Sequence, residues 1–361
     1  MRILFWVPYP SEGPSNRYRV EQYLSYLKKE GIKYSLHPFW AKSVYKILYK
    51  KGYFLRKSYF FILGTLFRFL DLLRLFNYDV VFIHREAYPV GGAFFEIISS
   101  LLKKPFIFDF DDAIFLPASS SQNNFIEKFR NTNKIVRIVK LSSYVIAGNS
   151  YLADFALNFN KYVTVIPTPI DTERYHRSPN REQKKDVVIG WIGSVTTSEY
   201  LYSMDGIFKA LFRKFPNIKF RVVGNSFSID GLSNIESKSW SLEDEIGDLN
   251  TFDIGIMPMP DNEWTRGKCG FKAILYMSMG IPCVCSPVGM NTEIISDGLN
   301  GFLATDDNEW VDKLSLLIQN PELRKRIGDA GRQAVEDRFS LKANAKKFIE
   351  VIEIVYRKIG K

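Results

Sequence analysis

Between Trp264 and Ala304 the chain gathers the residue types that hold an anion against main-chain amides. Gly267 and Gly270 bracket Lys268 and Cys269, and a helical run continues to Met279, where Gly280-Ile281-Pro282 stops it. A helix starting near Gly270 offers unpaired amide hydrogens and the positive end of its dipole. Arg266, Lys268 and Lys272 set three cations at the same place. A second glycine turn over 287–295 adds Gly289, main-chain amides near Asn291, and the Glu293 carboxylate, which suits ribose or sugar hydroxyls. The chemistry this set suits is the grip on a diphosphate and the stabilisation of charge as it departs. Read blandly, the same residues are a βα unit capped by Asn291 or Thr292, with solvated lysines.

Four further groups have chemical potential. In GWIGSVTTSEYL (190–201), Gly193 lies between an apolar run and a helix start, with Ser194, Thr196 and Thr197 able to cap the helix or touch phosphate. No G-x-G-x-x-G dinucleotide fingerprint is present. In PSEGPSNRYR (10–19), Gly13, Ser15 and Asn16 permit close backbone approach, and Arg17 and Arg19 point to an anion. His84 ends the apolar run DVVFIH, at the carboxyl end where α/β sheets place ligands. DFDDAI (109–114) supplies Asp109, Asp111 and Asp112, a D-x-D pattern that bare of context suggests a metal on a diphosphate.

These residues need a scaffold, and the apolar runs describe one. ILFWV (3–7), DVVFIH (79–84), PFIFDF (105–110) and YVIAG (144–148) read as strands buried on both faces, separated by helix-length segments. After Asp171 the plan restarts with VVIGWIG (187–193), FRVVG (220–224), FDIGIM (252–257) and PCVCSP (282–287). Two parallel α/β domains follow, as expected for 361 residues. The polar, proline-bearing segment 168–186 reads as the linker.

Charge is divided unequally. Residues 1–170 carry 23 lysines and arginines against 12 carboxylates, and residues 171–361 carry 26 against 27. An anionic partner for the first half follows, nucleic acid or a membrane surface. No nucleic-acid recognition motif accompanies the charge. Residues 41–77 mix aromatic side chains with Lys42, Lys46, Lys50, Lys51, Arg56, Lys57, Arg68 and Arg74. Arg68, Asp71 and Arg74 break the apolar run before it could span a bilayer, and the mixture suits a membrane interface. The first apolar run is too short for a signal peptide, so a cytoplasmic location, peripheral on the inner face of the cell membrane, is expected. Cys269, Cys283 and Cys285 lack the spacing of a zinc site and read as small buried side chains.

WIGSVTTSEYL, FRVVG, FDIGIMPMPDNEWTRGKCGFKAILYMSMGIPCV, SPVGMNTEIISDGLNGFL and GRQAVEDRFSL together resemble the C-terminal domain of glycosyltransferase family 4, over residues 187–340. PYPSEGPSNRYRVEQYLSYLKKEGI (8–32) and DVVFIHRE (79–86) resemble its N-terminal domain more weakly. The resemblance implies the GT-B fold: two Rossmann-like parallel-sheet domains facing a central cleft, residues 1–170 on the acceptor side and 171–340 binding the nucleotide sugar. Residues 341–361 would form a helix crossing back to the first domain. It further implies metal-independent transfer with retention of configuration, in which the departing phosphate helps deprotonate the acceptor hydroxyl.

On that basis His84, Lys268 and Lys272 are the catalytic candidates. Gly193, Ser194, Thr196, Arg266, Gly270, Gly289, Asn291 and Glu293 are the donor-binding ones. Gly13, Ser15, Asn16, Arg17, Arg19, Asp111 and Asp112 are expected on the acceptor side, the aspartates without metal. The expected partners are a nucleotide-diphosphate sugar, a glycan or lipid-linked acceptor of the cell envelope, and an anionic membrane surface, with no cofactor and no nucleic acid.

Two departures stand out. Many family members carry two glutamates eight positions apart, where this chain has Gly267 and Leu275. Many also carry an arginine and a lysine after the first glycine of the domain, where this chain has Ser194 and TTSEY. Arg266, Lys268 and Lys272 are the candidates to replace that charge. The missing glutamates keep open a weakened, transferase-like partner subunit, and an epimerase on the same fold is a further alternative.

Overall fold

The computed structural model describes residues 1–48, 50, 52–116, 133–178 and 186–358. Lys51, residues 179–185 of the expected linker and the last three residues lie outside the described residues. The chain divides into two compact units, residues 1–169 with 344–361, and residues 170–343.

The first unit is built on a parallel sheet of β1 (Arg2–Val7), β2 (Lys33–Pro38), β3 (Val80–His84), β4 (Phe106–Phe110), β5 (Tyr144–Ala147) and β6 (Val163–Val165). Their order is β2-β1-β3-β4-β5-β6. β3 and β4 are buried along their whole length, as a strand covered by helices on both faces must be. The order reverses between β1 and β3, so the chain leaves their carboxyl ends in opposite directions and opens a crevice there. Helix Pro14–Arg19 follows β1, with Pro14 preset for the first helical position. PSEGPSNRYR (10–19) reads in sequence as a loop joining the first strand to its helix, but Ser15, Asn16, Arg17 and Arg19 sit on this helix itself. Residues of the final helix, Leu341–Arg357, belong to this unit: the Phe348 ring stacks on Tyr23 at 4.0 Å and meets Phe82 at 5.3 Å.

The second unit carries β7 (Val188–Ile192), β8 (Lys219–Val223), β9 (Ile235–Lys238), β10 (Ile254–Met257), β11 (Cys283–Cys285) and β12 (Phe302–Leu303). They lie in the order β12-β11-β10-β7-β8-β9, all parallel, with the reversal between β7 and β10. Trp191, Phe208, Phe220, Ile254, Val284 and Leu314 anchor its core. Residues 170–178, expected as linker, pack on this unit. Tyr175 is buried with its hydroxyl 2.5 Å from Glu245, and Arg332 donates to the Thr172 carbonyl at 2.7 Å.

Candidate functional site

In the first unit the parallel register sets His84 beside Asp109 at the ends of β3 and β4. Successive strand residues alternate faces, so Asp109 and Asp111 are spaced to point the same way. His84 Nδ1 lies 2.6 Å from Asp109 Oδ2, and its Nε2 lies 2.5 Å from the Ser15 hydroxyl. Ser15 also reaches Asp111 Oδ2 at 3.1 Å. One line of polar groups thus joins the start of helix Pro14–Arg19 to the ends of two strands. Both His84 nitrogens are engaged and its side chain is fully buried, so the hydroxyl it meets here is that of Ser15.

Arg19, which the sequence pointed toward an anion, turns inward and grips Asp109 through Nε and Nη2 while donating to the Ile166 carbonyl. Arg17 is also buried and donates to the Ser11 carbonyl. Asn16 donates to Glu21 at 2.8 Å, while its buried Oδ1 has no hydrogen-bond partner among the described residues.

The residue that sequence reasoning passed over is Arg85. It bonds Asp111 at 2.8 Å and Asp112 at 2.5 Å, in a left-handed backbone conformation (φ 62°) uncommon for any residue but glycine. Such strain persists where surrounding bonds hold it, and it clusters at functional sites. Burial alone would raise the Asp111 carboxyl, but the charges of Arg85, His84 and Arg19 outweigh it and hold it well below the usual carboxylate range. The only signal in the sequence was the adjacency of Arg85 to His84. The aspartates of the D-x-D pattern are thus engaged by arginine, and no cluster of metal-ligating side chains exists among the described residues.

In the second unit the glycine turns follow the carboxyl ends of neighbouring strands: Gly224 after β8, Gly193 after β7, Gly270 in the connection after β10, and Gly289 after β11. They approach one another closely. A Cβ on Gly224 (φ 117°) would stand 1.8 Å from the Gly193 carbonyl oxygen, and one on Gly289 (φ 53°) 2.6 Å from that of Arg266. Gly270, left-handed at φ 62°, caps the eight-residue helix Phe271–Ser278. Asn291 is buried, donates to the Ser286 carbonyl at 3.0 Å, and leaves Oδ1 without a hydrogen-bond partner among the described residues, on the side facing Gly270.

The three cations differ. Lys272 runs past Gly193, where a Cβ would meet its Cε at 2.7 Å, and its ammonium lies 5.4 Å from the Trp191 ring centre. Lys268 lies over Trp264 at 5.0 Å. Arg266 is exposed and bidentate to Asp261 at 2.7 and 3.0 Å, so its charge is already matched. Lys272 is therefore the cation brought to the glycine turns. Ser194 and Thr196 are exposed and bond each other at 2.8 Å, at the start of a four-residue helix. Glu293 is exposed on the next turn. Leu275, at one of the expected glutamate positions, is buried in the helix. Burial raises the Cys285 thiol well above its usual value, and all three cysteines are buried and outside any disulfide.

Residues 186–320 match the family model of glycosyl transferases group 1. That match lies within the second unit. The chain is 24% identical over 183 residues to the capsular polysaccharide biosynthesis glycosyltransferase CapM of Staphylococcus aureus, covering 46% of this chain and 45% of that one. It thus spans about half the length of the curated relatives it matches. Among solved structures, Anabaena Alr3699/HepE in complex with UDP and glucose aligns at TM-score 0.67 and 14% identity, over 98% of this chain and 99% of that one. Sucrose-phosphate synthase of Thermosynechococcus elongatus aligns at 0.71 and 12%, over 99% of each. The fold is GT-B.

Proposed function

We propose that the chain is a retaining, metal-independent glycosyltransferase that moves a hexosyl group from a nucleotide-diphosphate sugar to a glycan or lipid-linked acceptor of the cell envelope. The observation that carries this reading is the convergence of Gly193, Gly224, Gly270 and Gly289 at adjacent strand ends with the Lys272 chain laid against Gly193. Glycine there lets main-chain amides approach phosphate, and one cation supplies charge that rises in value as the diphosphate leaves. Lys268 and Arg266 are secondary, the latter after release from Asp261. Ser15, His84 and Asp111 serve the acceptor side, with Arg85 and Arg19 fixing the carboxylates. Two similar proteins support the reading: one is a glycosyltransferase of capsular polysaccharide biosynthesis, and the other is seen in complex with UDP and glucose. The basic first half suits work at the inner face of the cell membrane.

Thermal shift against a panel of nucleotide sugars tests the donor site, because a ligand held by the folded state alone raises Tm. One donor should stabilise the wild type, and far less so Lys272→Met. Equal shifts in both proteins would remove Lys272 from the site. Transfer undiminished in excess chelator is expected; its loss, restored by manganese or magnesium, would overturn metal independence.

A further inference from the structure

Helix Phe54–Arg74 is amphipathic in the inverted sense. Its inward stripe holds Gly64, Arg68 and Asp71, all buried, whereas its outward stripe is apolar. Leu55, Tyr59, Ile62, Leu66, Phe69 and Leu73 recur at alternating spacings of four and three, and are between 47% and 85% exposed. Phe76 prolongs the row, and Phe94 packs beside Phe69 at 5.9 Å. A helix on a water-facing surface puts its apolar residues inward.

The rotation of this helix is fixed by directional bonds. Arg68 donates to the Val7 and Ala87 carbonyls at 3.1 and 2.8 Å and to Asp71 at 3.3 Å, while Asp71 accepts from Trp6 Nε1 at 2.9 Å and meets His37 at 2.7 Å. A Cβ on Gly64 would stand 2.7 Å from the Phe39 carbonyl oxygen, so the backbone sits flush there. Turning the apolar stripe inward would break all of these contacts.

Charge selects the occupant. Residues 41–77 carry eight lysines and arginines and one acid, Asp71, which is buried against Arg68. Every exposed charge among the segment's described residues is therefore positive. A second copy would set like charge against like, whereas an anionic lipid surface complements them. Among the described residues no helix is long and apolar enough to cross a membrane. We infer that helix Phe54–Arg74 lies flat in the headgroup region of an anionic bilayer, its outward stripe entering the acyl boundary and the flanking lysines and arginines meeting lipid phosphates. This deepens the reading of a membrane-linked acceptor.

Flotation of the full chain with phosphatidylcholine vesicles, with and without phosphatidylglycerol, tests it. The wild type should float with the anionic vesicles and stay partly bound at high salt, where purely electrostatic adsorption fails. Ile62→Glu with Leu66→Glu should weaken partitioning at least about tenfold, while Tm and the nucleotide-sugar shift stay unchanged, since both residues are exposed. Flotation of the double variant equal to wild type would overturn the inference. So would a wild-type dimer that ignores vesicles and dissociates in the double variant. A nucleotide-sugar shift without vesicle binding would sink the docking surface alone, and vesicle binding without any such shift would support it while sinking the glycosyltransferase reading.

Discussion

At the residue scale, charge in the first unit is spent on geometry. Asp109 accepts from Arg19 and faces His84 with all three side chains buried, so removing its charge leaves Arg19 uncompensated. Asp109→Asn should cost about 3–5 kcal/mol in denaturant unfolding; a loss under 1 kcal/mol would show that the ion pair does not hold the strand end. Asp111 is pH-linked. Its folded pKa is depressed, so its contribution is present above the unfolded value of about 4 and is lost as pH falls through the folded value. Asp111→Asn should therefore be less stable by about 2 kcal/mol near neutrality, with the difference shrinking below about pH 4. A gap that widens on acidification would contradict the assignment. In the second unit, Lys272→Met keeps the apolar stem beside Trp191 and removes only the charge. It should reduce turnover by about 10²–10³ with little change in Tm.

At the scale of elements, the buried strands were legible and the edges were not. β1, β3, β4, β7 and β10 are largely apolar and buried because both faces are covered. β2 is half-exposed and β9 mostly exposed, with sequences KYSLHP and IESK that carry no such run. The glycine turns were legible too, since glycine is the cheap solution for left-handed backbone. Their mutual contact was not, because Gly193 and Gly224 lie on different βα units and meet only through the β7–β8 register. The same limit hid the Ser15–His84–Asp109 line: its members were seen singly, and only the β3–β4 pairing makes them neighbours. Arg19 looked free for a ligand because sequence does not show which way a helical side chain turns. Gly224→Ala should be among the most damaging single changes, since its Cβ would overlap main chain at a φ that alanine disfavours. Failure to recover folded protein, or a loss of several kcal/mol, is expected; wild-type stability would show that the Gly193–Gly224 approach is slack.

At the scale of the molecule, two units of one architecture carry different charge. The first, with 28 lysines and arginines against 14 carboxylates, holds the basic excess and the inverted helix; the second, with 21 against 25, holds the glycine turns. That division suits the proposed donor site, reached by a soluble nucleotide sugar, and the proposed acceptor side, working on an anionic surface. The missing glutamate pair makes activity itself the central question, because Gly267 and buried Leu275 offer no carboxylate there. The most direct measurement is release of nucleoside diphosphate from a panel of nucleotide sugars by the purified wild type and Lys272→Met, with an envelope lipid extract as acceptor. The account predicts release from one donor, a product sugar of unchanged anomeric configuration, and loss of both in the variant. A folded wild type that binds and turns over none of the donors would contradict it.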